Sequence, residues 1–310
     1  MALYIHLTDR DEAGWANALS AALPGYPVYR RGDAFDPATV AYAFVWKPAP
    51  DTFEGLTNLK AVLSLGAGVD GLLRHPQLPK VPIVRFVDAE LSQCMADYVV
   101  ANVAMHQRLH TRFKADQAAK RWVQHYPVAA TELCVGVMGL GAIGMKAIEE
   151  LRPLGYQLRG WSRTAKTIAG VECFTDLDAF LPGVDILVCL LALTAETEGI
   201  LNAATFRKLR RGRLPDGPVV INAARGPHQR EADLIAALTD GTLGAASLDV
   251  FETEPLPQDS PLWTLPNSYV TPHIAAISNE RTGVAYFAKV IRDHEAGLPL
   301  PNLVDLERGY

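Results

Sequence analysis

The sequence predicts an α/β protein with two doubly wound parallel sheets, each in a domain of its own. Short β-like runs alternate with longer helix-like ones, which is the pattern of parallel sheets covered by helices on both faces. The chain has 310 residues, of which 49% are hydrophobic and 20% charged, so it can bury a sizeable core and its length favours two domains.

The first sheet is predicted from the N-terminal part of the chain. Its strands are the segments ALYIHLT, YPVYR, YAFVWK, KAVLSLG and PIVRFV. The segment DEAGWANALSAAL, between the first two, is predicted to form a helix because Trp15, Leu19 and Leu23 recur at helical spacing.

A long helix is predicted next, from Ser92 to about Trp122. No Pro or Gly interrupts this stretch, and Met95, Val99 and Val103 recur every fourth residue. Such a helix can bridge two domains.

The second, larger sheet is predicted from the segments ELCVGVMG, YQLRGWS, ECFT, DILVCLL, PVVINAA, GAASLDV and SYVTPH. Helices separate them, and one of these, READLIAALTDG, ends in a glycine that is typical of a helix C-terminus. A last helix, from about Asn279 to Glu295, is predicted to return the chain to the first domain.

Composition and charge exclude several classes of function. The net charge of -5 and the lack of a long basic run argue against nucleic acid or an anionic membrane as partner. The longest apolar run, 186–193, is too short to span a bilayer, and the N-terminus resembles no secretory leader. We therefore expect a cytoplasmic protein that binds small ligands.

The cysteines and histidines predict neither disulfides nor a metal site. The four cysteines are widely separated without a CxxC pair, and Cys134 and Cys189 lie in apolar runs typical of a core. His106 and His110 have a helical spacing that suits a metal ion, but no Glu follows His106 and no cluster of further ligands accompanies the pair.

The loop GLGAIG lies between the strand ELCVGVM and the helix MKAIEELRPL, where a dinucleotide-binding fold places its phosphate site. Glycines there permit a tight turn, the approach of a pyrophosphate and the packing of helix on strand, and the helix N-terminus faces the phosphates. The predicted cofactor contacts of this loop are Gly139, Gly141, Ala142, Ile143 and Gly144.

The residues after the next strand predict which dinucleotide binds. An acid about 20 residues beyond the glycines would bind a free ribose 2′-hydroxyl, but this chain has Ser162, Arg163 and Thr164 there, followed by Lys166. A guanidinium can hold a phosphate through two hydrogen bonds, and hydroxyls can add more. This pattern favours NADP(H) over NAD(H), although the same letters also suit a solvated polar turn.

Three residues at the ends of later strands favour an oxidoreductase. Arg225 follows one buried strand, Asp249 and Glu254 follow the next, and His273 follows a third. Arg225 can bind the carboxylate of a 2-oxo acid, His273 can protonate the developing alkoxide, and Glu254 can orient His273 and favour its charged form. Each residue alone also has a purely structural explanation; the ordered set favours catalysis.

The first domain has two candidate substrate contacts. Gly66, Ala67 and Gly68 leave a strand in a turn that can expose backbone N–H groups to an anion, so that Arg225 would hold the substrate carboxylate from the opposite domain. A plain strand-to-helix turn explains the same letters. Trp46, at another strand end, either walls the pocket or lies in the core.

The segments GLGAIG, NAARGP, LDVFETEPLP, SPLW and TPHIAA together resemble the D-2-hydroxyacid dehydrogenase family. The segments VWKPAP, LGAGVDGLL, GWSRT and the terminal RGY resemble the members of that family that reduce glyoxylate and hydroxypyruvate with NADPH. The resemblance covers nearly the whole chain. It implies two Rossmann-like domains around a cleft, the first built from residues 1–98 and 281–310 and the second, dinucleotide-binding domain from residues 99–280.

The same resemblance implies roles for particular residues. Arg225, Glu254 and His273 would be the catalytic set, and Asp249 would contact the nicotinamide amide. It also implies a homodimer, in which Trp122 reaches the partner's cleft. Two alternatives stay open: a dehydrogenase for a bulkier 2-oxo acid, and a dinucleotide-sensing regulatory protein of the same fold.

Overall fold

The computed structural model describes all residues from Met1 to Tyr310 and divides into two compact units. The smaller unit comprises residues 1–91 and 278–310, and the larger unit comprises residues 92–277. The sequence prediction placed these boundaries at 98/99 and 280/281.

The smaller unit has a five-stranded parallel sheet of order β2-β1-β3-β4-β5. The strands are β1 (Ala2–Leu7), β2 (Val28–Arg30), β3 (Val40–Trp46), β4 (Ala61–Ser64) and β5 (Ile83–Arg85). The helices are α1 (Glu12–Ala22), the short α2 (Asp70–Leu73) and α9 (Glu280–Glu295). The strands and the two longer helices lie where the sequence predicts them.

An aromatic cluster on one face of this sheet holds α1 and α9 in place. The rings of Trp15 and Phe287 lie 5.4 Å and 4.6 Å, respectively, from the ring of Phe44 on β3. Gly283 makes this packing possible, because a β-carbon there would lie 2.5 Å from the Trp15 indole. The C-terminal end of α9 is also fixed, since Glu295 accepts a hydrogen bond from the Tyr42 hydroxyl at 2.7 Å.

The larger unit has a seven-stranded parallel sheet of order β12-β11-β10-β9-β6-β7-β8. The strands are β6 (Cys134–Met138), β7 (Gln157–Trp161), β8 (Glu172–Phe174), β9 (Ile186–Cys189), β10 (Val219–Asn222), β11 (Ala245–Leu248) and β12 (Ser268–Val270). The helices are α3 (Ala89–Gln107), which begins in the smaller unit, α4 (His110–Ala118), α5 (Ala142–Leu151), α6 (Leu177–Phe180), α7 (Ala203–Lys208) and α8 (Glu231–Asp240). The strand order reverses between β6 and β9, which is where open α/β sheets bind ligands.

Apolar clusters cover both faces of the larger sheet, which confirms the doubly wound architecture. Alternate residues of β9 belong to different clusters, Ile186 and Val188 to one and Leu187 and Cys189 to the other. Cys134 and Cys189 are buried free thiols, and burial raises their pKa to about 11 and about 12. No helix is long and apolar enough to cross a lipid bilayer.

The predicted long helix from Ser92 to Trp122 is wrong, because the chain breaks it at Leu109. This residue adopts a left-handed conformation, with φ of +60°, and α4 starts at the next residue. The break buries Leu109, which is 5% exposed, and brings Thr111 within 3.0 Å of the Tyr269 hydroxyl. Leucine carries no sequence signal for such a turn.

His106, at the end of α3, is buried and hydrogen-bonded within the core. Its Nε2 lies 2.8 Å from the hydroxyl of Ser247 on β11, and its ring packs edge-on against Tyr269. Burial, and to a smaller degree the nearby His110, lowers its pKa to about 4. The side chain therefore stays neutral and serves as a hydrogen-bonding core residue.

Helix α4 ends in a motif that normally contains glycine. The N–H of Lys120 bonds to the carbonyl of Gln117, and the N–H of Arg121 bonds to the carbonyl of Asp116, while Lys120 has φ of +53°. This is the Schellman arrangement, in which the left-handed position is usually Gly because a β-carbon there is strained.

We expect Lys120→Gly to stabilise the protein. Relief of the left-handed strain exceeds the entropic cost of a glycine by roughly 0.5 to 1 kcal/mol. Thermal unfolding should show a melting temperature higher by about 1 to 3 °C. Lys120→Ala removes the same charge but keeps a β-carbon, so it is the control and should give no rise; an equal rise in both variants would contradict the strain argument.

Candidate active site

The glycine loop turns sharply from β6 into α5. Gly139 has φ of +100°, and a β-carbon on it would lie 2.5 Å from the carbonyl oxygen of Leu190. A β-carbon on Gly144 would lie 1.8 Å from the carbonyl oxygen of Gly139, so this glycine lets the helix pack on the turn itself. Both residues are therefore required by the fold of the loop.

Gly141 differs from its two neighbours in the motif. It precedes α5 with φ of -79°, a conformation open to any residue, and a β-carbon on it would meet no atom within 4 Å. Nothing in the protein requires a glycine here. The open space lies at the N-terminus of α5, where backbone N–H groups and the helix dipole favour an anion such as a pyrophosphate.

The turn after β7 carries cations beside this loop. Lys166 donates a hydrogen bond from Nζ to the carbonyl of Leu140 at 2.6 Å, which fixes its ammonium group on the glycine loop. The Ser162 hydroxyl donates to the carbonyl of Thr164 at 2.8 Å and closes the turn around Arg163, which is exposed. The turn thus presents a guanidinium at the end of the second strand, where the adenosine ribose of a bound dinucleotide lies.

Arg225 lies after β10 on a loop held by buried amides. Asn222, which has no exposed surface, donates from Nδ2 to the carbonyl of Arg225 and to the side chain of Gln229, at 3.1 and 2.9 Å. The buried His228 accepts the Arg225 N–H at Nδ1, at 3.2 Å. Gly226 lets the loop pass close to the next one, since a β-carbon there would lie 1.7 Å from the carbonyl oxygen of Phe251.

Asp249 follows β11 and is 1% exposed. Its Oδ1 accepts hydrogen bonds from the Thr271 hydroxyl at 2.6 Å and from the Ile274 N–H at 2.9 Å, and its Oδ2 accepts the Ala275 N–H at 2.9 Å. The carbonyl of Asp249 accepts the N–H of His273 at 2.8 Å. Asp249 therefore organises the loop after β12.

His273 and Glu254 form a direct pair. Nδ1 of His273 lies 2.8 Å from Oε2 of Glu254, and the other carboxylate oxygen accepts the N–H of Phe251 at 3.1 Å. A carboxylate bound to one ring nitrogen fixes the orientation of the imidazole and leaves Nε2 available to a ligand. His273 itself has φ of +55°, a strained conformation of the kind found at active sites.

An apolar cluster lines the same edge of the sheet, and sequence reasoning missed it. Met95, Ala223 and Ala275 are buried together, with Ile143 of the glycine loop and Leu190 packed against them. Ala223 follows β10 and Ala275 follows His273, so the cluster lies beside the polar residues. Met95 was predicted only as a helix position.

In the smaller unit, Trp46 lies against the turn after β4. A β-carbon on Gly66 would lie 2.3 Å from the Trp46 ring, so close packing, and not a positive φ, explains this glycine. Ala67 and Gly68 are partly exposed beside it. The two candidate substrate contacts predicted from the sequence thus lie together within this unit.

Comparison with known proteins identifies the family. Residues 100–275 match the family model described as D-isomer specific 2-hydroxyacid dehydrogenase, NAD binding domain. The chain is 41% identical to glyoxylate/hydroxypyruvate reductase A of Klebsiella pneumoniae strain 342, over 97% of both chains. The chain belongs to the D-isomer specific 2-hydroxyacid dehydrogenases.

Solved structures agree with this membership. A D-isomer specific 2-hydroxyacid dehydrogenase from Xanthobacter autotrophicus Py2, in complex with NADPH and MES, superposes with a TM-score of 0.94 and 45% identity, covering 100% of this chain and 99% of that one. An NADPH-dependent glyoxylate/hydroxypyruvate reductase from Sinorhizobium meliloti, in complex with NADP and sulfate, has a TM-score of 0.94, 43% identity and the same coverage. As a member of this family, the protein is an oxidoreductase, and the predicted fold class is confirmed.

The glycine loop of this dehydrogenase gives a matched pair of variants. Gly144→Ala forces a β-carbon onto a backbone oxygen, so we expect a loss of stability of about 1 to 3 kcal/mol in the ligand-free protein. Gly141→Ala fills open space, so it should leave the melting temperature nearly unchanged but weaken the binding of NADPH by about tenfold or more.

Thermal unfolding without ligand and fluorescence titration with NADPH measure the two effects. Full binding by Gly141→Ala would show that the open space is not the phosphate site. A stable Gly144→Ala protein would show that the helix can move away from the turn.

Proposed function

We propose that this dehydrogenase is an NADPH-dependent reductase of small 2-oxo acids, which converts glyoxylate to glycolate and hydroxypyruvate to D-glycerate. The His273–Glu254 pair carries the proposal, because a proton donor held at 2.8 Å by a carboxylate suits the reduction of a carbonyl. The names of the relatives support the substrates, since several at 40% to 41% identity are glyoxylate/hydroxypyruvate reductases.

The residues around the glycine loop fit a phosphorylated dinucleotide. Gly141 leaves room for a pyrophosphate, and Ala142, Ile143 and Gly144 form the start of the helix behind it. Ser162, Arg163, Thr164 and Lys166 would bind the 2′-phosphate, with Lys166 already fixed at the loop. When bound, the cofactor supplies the hydride that adds to C2 of the substrate.

The substrate would be bound and protonated by residues at neighbouring strand ends. Arg225 binds the carboxylate and polarises the carbonyl, because a guanidinium matches both oxygens of a carboxylate. His273 donates a proton from Nε2 to the carbonyl oxygen as it becomes an alkoxide, and Glu254 orients the imidazole for the transfer. Asp249 would contact the nicotinamide amide, as the family resemblance implies.

The smaller unit is proposed to contribute to substrate binding through Trp46, Gly66, Ala67 and Gly68. The indole packed on Gly66 makes this turn compact, and small side chains leave its backbone N–H groups accessible to a carboxylate.

The homodimer and the cytoplasmic location stay predictions. An observation that supports a partner is the segment after α4, where Trp122 is 98% exposed and Tyr126 is 83% exposed. Large apolar side chains so exposed are typical of protein contacts.

Steady-state reduction of a panel of 2-oxo acids tests the proposal. Glyoxylate and hydroxypyruvate should give higher kcat/KM values with NADPH than branched or aromatic 2-oxo acids. A higher value for phenylpyruvate would indicate a dehydrogenase for bulkier substrates. Tight NADPH binding without turnover of any 2-oxo acid would indicate a dinucleotide-sensing regulatory protein.

Arg163→Asp should reverse the cofactor preference toward NADH. The variant loses a charge-assisted contact with the 2′-phosphate and gains a repulsive charge, so the ratio of kcat/KM for NADPH over NADH should fall by roughly tenfold to a hundredfold or more. Arg213→Asp is the control, because Arg213 is also exposed and pairs with Glu132 near the opposite ends of the strands. If both variants lowered this ratio equally, the effect of Arg163 would come from the net charge of the protein and not from a contact with the 2′-phosphate.

Glu254→Gln should slow reduction without weakening NADPH binding. The amide keeps the size of the side chain but removes the charged acceptor of the bond to Nδ1 of His273, so kcat should fall by roughly tenfold or more. His273→Ala should lose more, on the order of 10²-fold or more, while NADPH binding stays close to normal. Steady-state kinetics and fluorescence titration with NADPH measure the two effects. A Glu254→Gln enzyme with wild-type kcat would show that the carboxylate is not needed to hold His273 for proton donation.

A further inference from the structure

A chain of hydrogen bonds runs from helix α3 to the loop of His273. The hydroxyl of Tyr98 lies 3.0 Å from the Thr271 hydroxyl, and this in turn donates to Oδ1 of Asp249 at 2.6 Å. The Thr271 hydroxyl has a single proton, and it donates that proton to Asp249. Tyr98 must therefore be the donor in the first bond.

Tyr98 is well suited to this donor role. Burial raises its pKa to about 12, although the hydrogen bond with Thr271 acts in the opposite direction, so the phenol keeps its proton throughout any ordinary assay. The side chain comes from the middle of α3, which spans Ala89–Gln107. Asn102 also bonds back to the Tyr98 carbonyl at 2.9 Å.

The far end of the chain fixes the backbone on both sides of His273. Asp249 binds Thr271 before it and the N–H groups of Ile274 and Ala275 after it. His273 between them has φ of +55°, a conformation that a residue with a β-carbon holds only when its surroundings impose it. A change in the orientation of the carboxylate would release this constraint.

We infer that Tyr98 is a positioning residue for His273, which acts through Thr271 and Asp249 to hold the catalytic loop in its strained conformation. The inference rests on the proposed function, since it assigns the purpose of the network to proton donation by His273. The hydroxyl of Tyr98 bonds to Thr271 and not to His273, and its ring packs against the apolar cluster of Met95, Ala223 and Ala275. Its effect is on the fraction of molecules in which Nε2 points at the reacting oxygen.

Tyr98→Phe removes one hydroxyl and tests the inference in steady-state kinetics. We expect kcat with glyoxylate to fall by roughly two- to tenfold, the equivalent of one hydrogen bond, with the KM for NADPH unchanged. Thr271→Val should give a similar loss, and Thr271→Ser, which keeps a hydroxyl, should retain more activity than Thr271→Val. In a His273→Ala enzyme, Tyr98→Phe should cause no further loss, because the residue acts through that histidine.

Tyr269→Phe is the matched control. Tyr269 also pairs with a threonine hydroxyl in the larger unit, Thr111 at 3.0 Å. Neither residue of this pair donates to the Asp249 carboxylate, whose donors are Thr271, Ile274 and Ala275. The control should leave kcat close to wild type. Equal losses in Tyr98→Phe and Tyr269→Phe would overturn the inference, as would an undiminished kcat in Tyr98→Phe.

Amide hydrogen exchange provides a readout that is independent of turnover. Exchange in the segment 271–277 should be faster in Tyr98→Phe than in wild type or Tyr269→Phe, because the N–H groups of His273, Ile274 and Ala275 bond to Asp249. Unchanged exchange would overturn the inference. Faster exchange without loss of kcat would also overturn it, because Tyr98 would then stabilise the loop without affecting catalysis. A wild-type protein that reduces no 2-oxo acid would overturn the proposed function instead, and exchange would still decide whether Tyr98 holds the loop.

Discussion

The carboxylate of Asp249 lies in the interior of the larger unit, where its residue is 1% exposed. A buried carboxylate is costly unless hydrogen bonds satisfy it, and here the donors are one hydroxyl and two backbone N–H groups of a single loop. The same three hydrogen bonds therefore stabilise the buried carboxylate and fix the conformation of the loop. Removing the charge would free the chain around His273, and moving the loop would leave the charge unpaired.

The loop after β10, which carries Arg225, is held in a similar way, but by buried side-chain amides instead of a carboxylate. Asn222 ends β10 without exposed surface, and its side chain bonds to the backbone around Arg225. Gln229 then donates to the carbonyl of Val250, which joins this loop to the one after β11. Buried polar groups that are fully satisfied rigidify their surroundings, so the functional side chains project from loops that have few alternative conformations.

Much of this arrangement was predictable from the sequence, for identifiable reasons. The strands of both sheets are short apolar runs between turn signals, and the spacing of glycines specifies the phosphate loop. Residues whose importance comes from partners distant in the chain carry no such signal: Leu109 breaks a helix without Gly or Pro, and Tyr98 meets Thr271 across 173 positions. From the sequence alone, Thr271 and His228 look like ordinary loop residues. Their importance is visible only in the fold, where they bond to Asp249 and to Arg225.

The exposure of the turn around Arg163 has a consequence for the conditions under which the enzyme discriminates between cofactors. Its guanidinium is accessible to solvent ions, and the Debye length at physiological ionic strength is about 8 Å. If Arg163 binds the 2′-phosphate as proposed, dissolved salt would weaken that attraction. The preference for the phosphorylated dinucleotide would then depend on the electrolyte as well as on the protein, strongest in dilute buffer and reduced as ionic strength rises.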